Sequence, residues 1–107
     1  MVLIFNGQQV MKDSWKEGVA LVRVYRKKNF SIYSNKHGSF IIHNMKKEFS
    51  EGHTHINNFN TAKFILNLAL HSTIPNHTIS DYLLVSLQRI SNDKDYIKRL
   101  GFLIKKQ

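Results

Sequence analysis

Residues 59–70 read Phe-Asn-Thr-Ala-Lys-Phe-Ile-Leu-Asn-Leu-Ala-Leu, and the spacing within them decides the fold. Ala62, Ile65, Leu66, Ala69 and Leu70 recur at intervals of three and four, the period of one helical face. Only a thin polar stripe of Lys63, Asn67 and His71 is left over, so this helix is expected at the centre of the molecule. Asn60 is the expected N-cap, with Phe59 placed to staple onto Phe64.

Working outward towards the N-terminus, the period falls from 3.6 to two. Val2–Phe5, Gln8–Met11, Val19–Tyr25, Phe30–Tyr33 and Phe40–His43 are short segments rich in β-branched and aromatic residues. Asn6-Gly7, Lys27-Lys28-Asn29 and Asn35-Lys36-His37-Gly38 between them have hairpin composition and length. An antiparallel meander of three to four strands follows.

Towards the C-terminus the helical period continues. Pro75 ends the connection after the first helix. Thr78 with Asp81 predicts a capping box for a second helix that buries Ile79, Tyr82, Leu83, Leu87 and Ile90. Asn92 with Asp95 predicts a third, with Ile97, Leu100 and Ile104 facing inward and Lys94, Lys98 and Lys105 outward. Gly101 weakens that third helix by about 1 kcal/mol relative to alanine. Runs of strands before runs of helices define an α+β fold, expected as a single domain over residues 1–107.

Composition narrows the function classes. The chain has 107 residues and no cysteine, which removes disulfide scaffolds, thiolate metal sites and cysteine nucleophiles. Met1–Gly7 lacks a basic n-region, and the apolar run from Phe64 to Leu70 is too short to span a bilayer. The expectation is a cytoplasmic protein without a transmembrane segment. Sixteen basic residues against seven acidic ones give a formal charge of +9, a statement about partners and not about fold.

The charge has a local structure that the totals conceal. Between residues 18 and 47 there are seven basic side chains and no acidic one. They are Arg23, Arg26, Lys27, Lys28, Lys36, Lys46 and Lys47, interleaved with Tyr25, Phe30, Tyr33 and Phe40. Cations that track phosphates beside rings that stack on bases are the parts of a single-stranded nucleic-acid binder. Turning Ala20, Val22 and Val24 to the core would place Arg23 and Tyr25 together on the exposed face without burying charge. Arg23, Tyr25, Arg26, Lys27, Lys28, Lys46 and Lys47 are therefore the expected nucleic-acid-binding residues. A merely solvated basic surface accounts for the same cations, and a buried sheet core for the same rings.

Histidines are the second cluster. In an extended segment His53 and His55 share a face, as two ligands of a metal or as general acid and base. A metal would need a third ligand from His43, Glu48 or Glu51, and that ligand set is incomplete in the pattern, so neither metal nor cofactor is expected. In a ribonuclease or toxin, His53 and His55 would exchange protons while Lys46 or Lys47 stabilised the charged transition state. The segment also approaches a helix N-terminus, where His53, His55 and Lys63 could hold a phosphate. The third helix carries Lys94, Lys98, Arg99, Lys105 and Lys106 but few base-reading side chains, which disfavours a helix-turn-helix reader.

The leading expectation is a non-enzymatic binder of RNA or single-stranded DNA. The alternative is an interaction module or inhibitor of mobile-element origin that docks on an acidic or nucleic-acid-handling protein. A histidine-dependent ribonuclease is the third. Oligomeric state is not legible in the pattern.

Overall fold

A computed structural model describes residues 2–5, 8–13, 19–35, 38–76 and 78–104, those before residue 21 through their strand pairing. The Asn6-Gly7 turn, Lys36, His37 and the outward Lys105 expected from the sequence lie outside the described residues. Six strands, β1 (Val2–Phe5), β2 (Gln8–Asp13), β3 (Val19–Lys27), β4 (Phe30–Ser34), β5 (Phe40–Asn44) and β6 (His53–Ile56), precede three helices, α1 (Phe59–Leu70), α2 (Asp81–Ile90) and α3 (Lys94–Gly101). The strands form one antiparallel meander in chain order, β1-β2-β3-β4-β5-β6. The α+β arrangement expected from the change of period is thus present, with strands first and three helices packed on the sheet.

Alternation within the strands sorts their side chains. Phe30 and Ile32 of β4, Ile42 of β5 and Ile56 of β6 face the helices and meet Ala62, Ile65, Leu66 and Ala69 of α1. Leu84, Leu87 and Ile90 of α2 and Tyr96 and Leu100 of α3 close the same core. Tyr96 is fully buried, its hydroxyl donates to the Thr73 carbonyl at 2.8 Å, and burial pushes its pKa up to about 12. On the other face of the sheet Leu21, Tyr33 and Ile41 form a smaller cluster with Phe49.

Several local expectations are corrected. β6 was expected as a polar approach to the first helix, yet it pairs with β5 throughout. Its inward residues, Thr54 and Ile56, are buried, and Thr54 is tolerated there because its hydroxyl donates to Ser86 Oγ at 2.8 Å. The caps are Asn58, Ser80 and Asp93 instead of Asn60, Thr78 and Asn92; each accepts from the backbone N–H three residues on. Asp93 also accepts from Ser72 Oγ at 3.0 Å, and these bonds hold its carboxyl below the usual carboxylate range. Tyr82, expected inside, is 55% exposed, and Leu84 takes the buried place.

Tyr82 and Arg89 have another use. β6 is the last strand of the sheet, so its outer carbonyls have no strand to pair with among the described residues. The Tyr82 hydroxyl donates to the His55 carbonyl, and Arg89 Nε to the His53 carbonyl at 3.1 Å. One helix therefore closes the sheet edge with side chains. No helix among the described residues is long and apolar enough to cross a membrane.

Candidate functional site

In a meander, alternate turns fall at the same end of the sheet. The two-residue turn Lys28-Asn29 joins β3 to β4, and residues 45–52 join β5 to β6, so both lie at one end. They are also bonded to each other. The Met45 N–H donates to the Asn29 carbonyl at 2.7 Å, and Asn29 Nδ2 donates to Asn44 Oδ1 at 2.7 Å. The same Asn44 oxygen accepts the Lys46 N–H at 3.0 Å, while Asn44 Nδ2 reaches the last turn of α2 through the Ile90 carbonyl at 2.9 Å. A single fully buried amide thus ties two turns and a helix end together.

Five of the seven expected binding residues belong to this end: Arg26, Lys27, Lys28, Lys46 and Lys47. Arg26, Lys28 and Lys46 are exposed, and Arg26 Nε braces the tip by donating to the Lys28 carbonyl at 3.4 Å. Lys27, also exposed, leans to the helix side and donates to Asn67 Oδ1 of α1 at 2.9 Å. Lys47 does structural work: its Nζ donates to the carbonyls of Arg89 and Ser91 at 3.3 and 3.2 Å. A cation there satisfies carbonyls that the end of α2 leaves open and opposes the helix dipole. Glu48 and Glu51, exposed in the longer turn, temper the positive potential.

Lys28 has φ of 56°, in the left-handed region that lysine seldom occupies. The turn holds that conformation because its neighbour Asn29 is pinned by Asn44 and Met45. Gly52 closes the longer turn for a steric reason, since a Cβ there would lie 2.6 Å from Lys47 Cβ.

Arg23 and Tyr25 are not brought together, contrary to the face assignment made from alternation. Arg23 pairs with Tyr33, but Tyr25 pairs with Ile32, so Val24 is an extra residue that forms a bulge. The bulge turns Arg23 to the face away from the helices and Tyr25 towards them. Tyr25 packs edge-on against Phe59 at 6.2 Å, with Lys63 Nζ 5.2 Å from its ring centre. Tyr33, another ring of the acid-free stretch, is buried in the cluster of Leu21 and Ile41.

The histidines gather on the sheet face away from the helices. His53 and His55 share that face as expected, their ring centres 5.1 Å apart, and His43 lies opposite His53 in register. The turn folds Phe49 onto them, stacked on His53 at 4.7 Å and edge-on to His43 at 5.0 Å. His43 Nε2 lies 3.0 Å from the Lys47 carbonyl and His53 Nδ1 2.6 Å from the Phe49 carbonyl. A carbonyl only accepts, so these nitrogens carry the protons. Burial is the largest cause lowering both pKa values; the carbonyl bonds oppose it, and for His53 the charges of His55, Arg89 and His43 add to the lowering. Among the described residues no three His, Cys, Asp or Glu side chains are placed to hold a metal ion.

Sequence reasoning missed Asn29, Asn44 and Arg89. Nothing in the local pattern marks the two asparagines, since their role lies in contacts across the sheet. Arg89 is a helix-face cation whose place beside the turn depends on α2 docking along β6. No family model, curated protein or solved structure matches the chain, so residue chemistry alone carries the functional reading.

Proposed function

We propose that the protein is a non-enzymatic binder of RNA or single-stranded DNA, and that the basic end of the sheet is its contact surface. Arg26, Lys27, Lys28 and Lys46 engage phosphates, with Arg23 extending the track along the outer face. Tyr25 and Lys47 support that surface from beneath, through Phe59 and through the α2 carbonyls. The observation that carries the reading is the join at Asn44, which unites cations from two turns separated in sequence. The left-handed Lys28 adds weight: a side chain kept at a backbone cost of about 1 kcal/mol, where glycine would fit freely, points to a use for its charge.

Binding of this kind is electrostatic first. With about five phosphates engaged on a single strand, log K should fall with log salt at a slope of roughly −3.5. Fluorescence anisotropy of labelled RNA and DNA strands across a salt series reads that slope. Replacing Arg26, Lys27 and Lys28 together by alanine should reduce its magnitude by about 2. A salt-independent affinity, or no binding to either strand, would refute the proposal. Retention of a protein partner after nuclease digestion, with no oligonucleotide binding, would move the function to the interaction-module class.

A further inference from the structure

The bulge at Val24 also decides how the arginines of β3 stand to each other. Arg23 lies opposite Tyr33 and Arg26 opposite Ser31. Tyr33 and Ser31 flank Ile32 of the helix-side core, so both belong to the outer face of the sheet. Arg23 and Arg26, three apart in sequence, therefore share that face, about 7 Å apart along the strand. Strict alternation would have sent them to opposite faces. Lys28 continues the file at the tip, where Arg26 Nε donates to its carbonyl. The Ser31 hydroxyl donates to Met45 Sδ at 3.3 Å, which sets the start of the longer turn on the same face, with Lys46 next in the chain.

The helix side of this strand end is closed by α1, where Tyr25 packs on Phe59 and Lys27 bonds Asn67. The outer side favours anions. β3, β4, β5 and β6 contain no acidic residue. Glu48 and Glu51 belong to the turn between β5 and β6, at least two strands from β3. The rings nearby are committed to the protein. Phe30 and Tyr33 are buried, and Tyr25 and Phe40 both lie against Phe59. Phe49, on the outer face, is packed on His43, His53 and Tyr33. The parts that would stack on bases are thus used in packing, while the parts that would hold phosphates stand in a file.

We infer that Lys28, Arg26 and Arg23 form a phosphate track along the outer side of β3, which holds the sugar–phosphate backbone of a strand without reading its bases. The inference rests on the nucleic-acid reading above and adds to it the path of the strand and the lack of base selection. Neighbouring cations take neighbouring phosphates, and the planar guanidinium forks suit phosphate oxygens. The bases point to solvent. What matters at position 23 is the face that the cation occupies, not its contribution to the total charge.

Two probes test this by fluorescence anisotropy across a salt series: a labelled single-stranded oligonucleotide, and an abasic strand of the same length whose tetrahydrofuran units keep every phosphodiester. The abasic strand should bind within about threefold of the normal one, because the phosphates carry the affinity. A Val22→Arg/Arg23→Val exchange keeps the formal charge of +9 but moves the cation to the other face, where Val22 is half-buried. It should lower the magnitude of the salt slope by about 0.7, as Arg23→Gln should, since each loses one phosphate contact on a single strand. Circular dichroism checks that both variants fold, and Arg23→Gln decides alone if the exchange does not. Abasic binding weaker by about tenfold or more, the size of a base-stacking contact, would overturn the inference and leave the nucleic-acid reading standing. So would a parental slope in either folded variant. If neither strand binds the parent protein, the nucleic-acid reading falls and the track falls with it.

Discussion

Asn44 is the side chain on which the basic end depends most, and the cost of removing it can be worked out. Its amide makes three hydrogen bonds, to Asn29 Nδ2 at 2.7 Å, the Lys46 N–H at 3.0 Å and the Ile90 carbonyl at 2.9 Å. Each is worth about 0.5–1.5 kcal/mol net, and truncation leaves partners in places that water reaches poorly. Asn44→Ala should therefore cost roughly 2–4 kcal/mol, a large share of the stability of a domain this size. Asn29→Ala loses only one of these bonds and should cost about 1 kcal/mol. Urea denaturation followed by circular dichroism measures both, with an unchanged m-value showing that the two unfolding reactions expose similar surface. The double variant should cost less than the sum of the singles, since the 2.7 Å bond is shared. A cost below about 1 kcal/mol for Asn44→Ala would refute the idea that this amide holds the two turns and α2 together.

Acid should weaken the fold in a defined window. His43 and His53 are held neutral with lowered pKa values, so their contribution is complete above 6.5, the ordinary value, and is lost as pH falls through the lower folded values. Urea midpoints measured from neutral to mildly acidic pH should decline below that point and level off above it. Gly52→Ala should destabilise by about 1–3 kcal/mol, because the added Cβ meets the stem of Lys47 at 2.6 Å instead of a flexible tip. A thermal melt at neutral pH reads the loss. Lys28→Gly should raise stability by roughly 0.5–1 kcal/mol by relieving a φ of 56°, while weakening oligonucleotide binding. Opposite signs in the melt and in the anisotropy titration are the expected outcome.

Periodicity made most of the architecture legible. The helical stripe of Ala62, Ile65, Leu66 and Ala69 is the buried face of α1, and five strand segments were visible from β-branched and aromatic runs. The sixth was missed because His53-Thr54-His55-Ile56 looks polar when read alone. Its strand character comes from pairing with β5, from Ser86 beneath Thr54, and from Tyr82 and Arg89 along its edge. The helix caps were each displaced by one or two residues. Asparagine, serine and aspartate are near-equivalent caps, and packing chooses among neighbours.

The candidate site divides in the same way. The acid-free stretch from 18 to 47 and the shared face of His53 and His55 follow from residue types and spacing, both local quantities. Residue types and spacing were enough for an α+β order, three amphipathic helices and an acid-free concentration of cations between residues 18 and 47. Tertiary structure alone decided which cations meet. A single bulge residue, Val24, separated Arg23 from Tyr25 by reversing the alternation. Hydrogen bonds through Asn44 joined turns distant in the chain. Strand pairing set His43 opposite His53, and the returning turn laid Phe49 across both. A period describes how a segment repeats along itself. Which segments become neighbours depends on register and loop closure, and those are properties of the assembled chain.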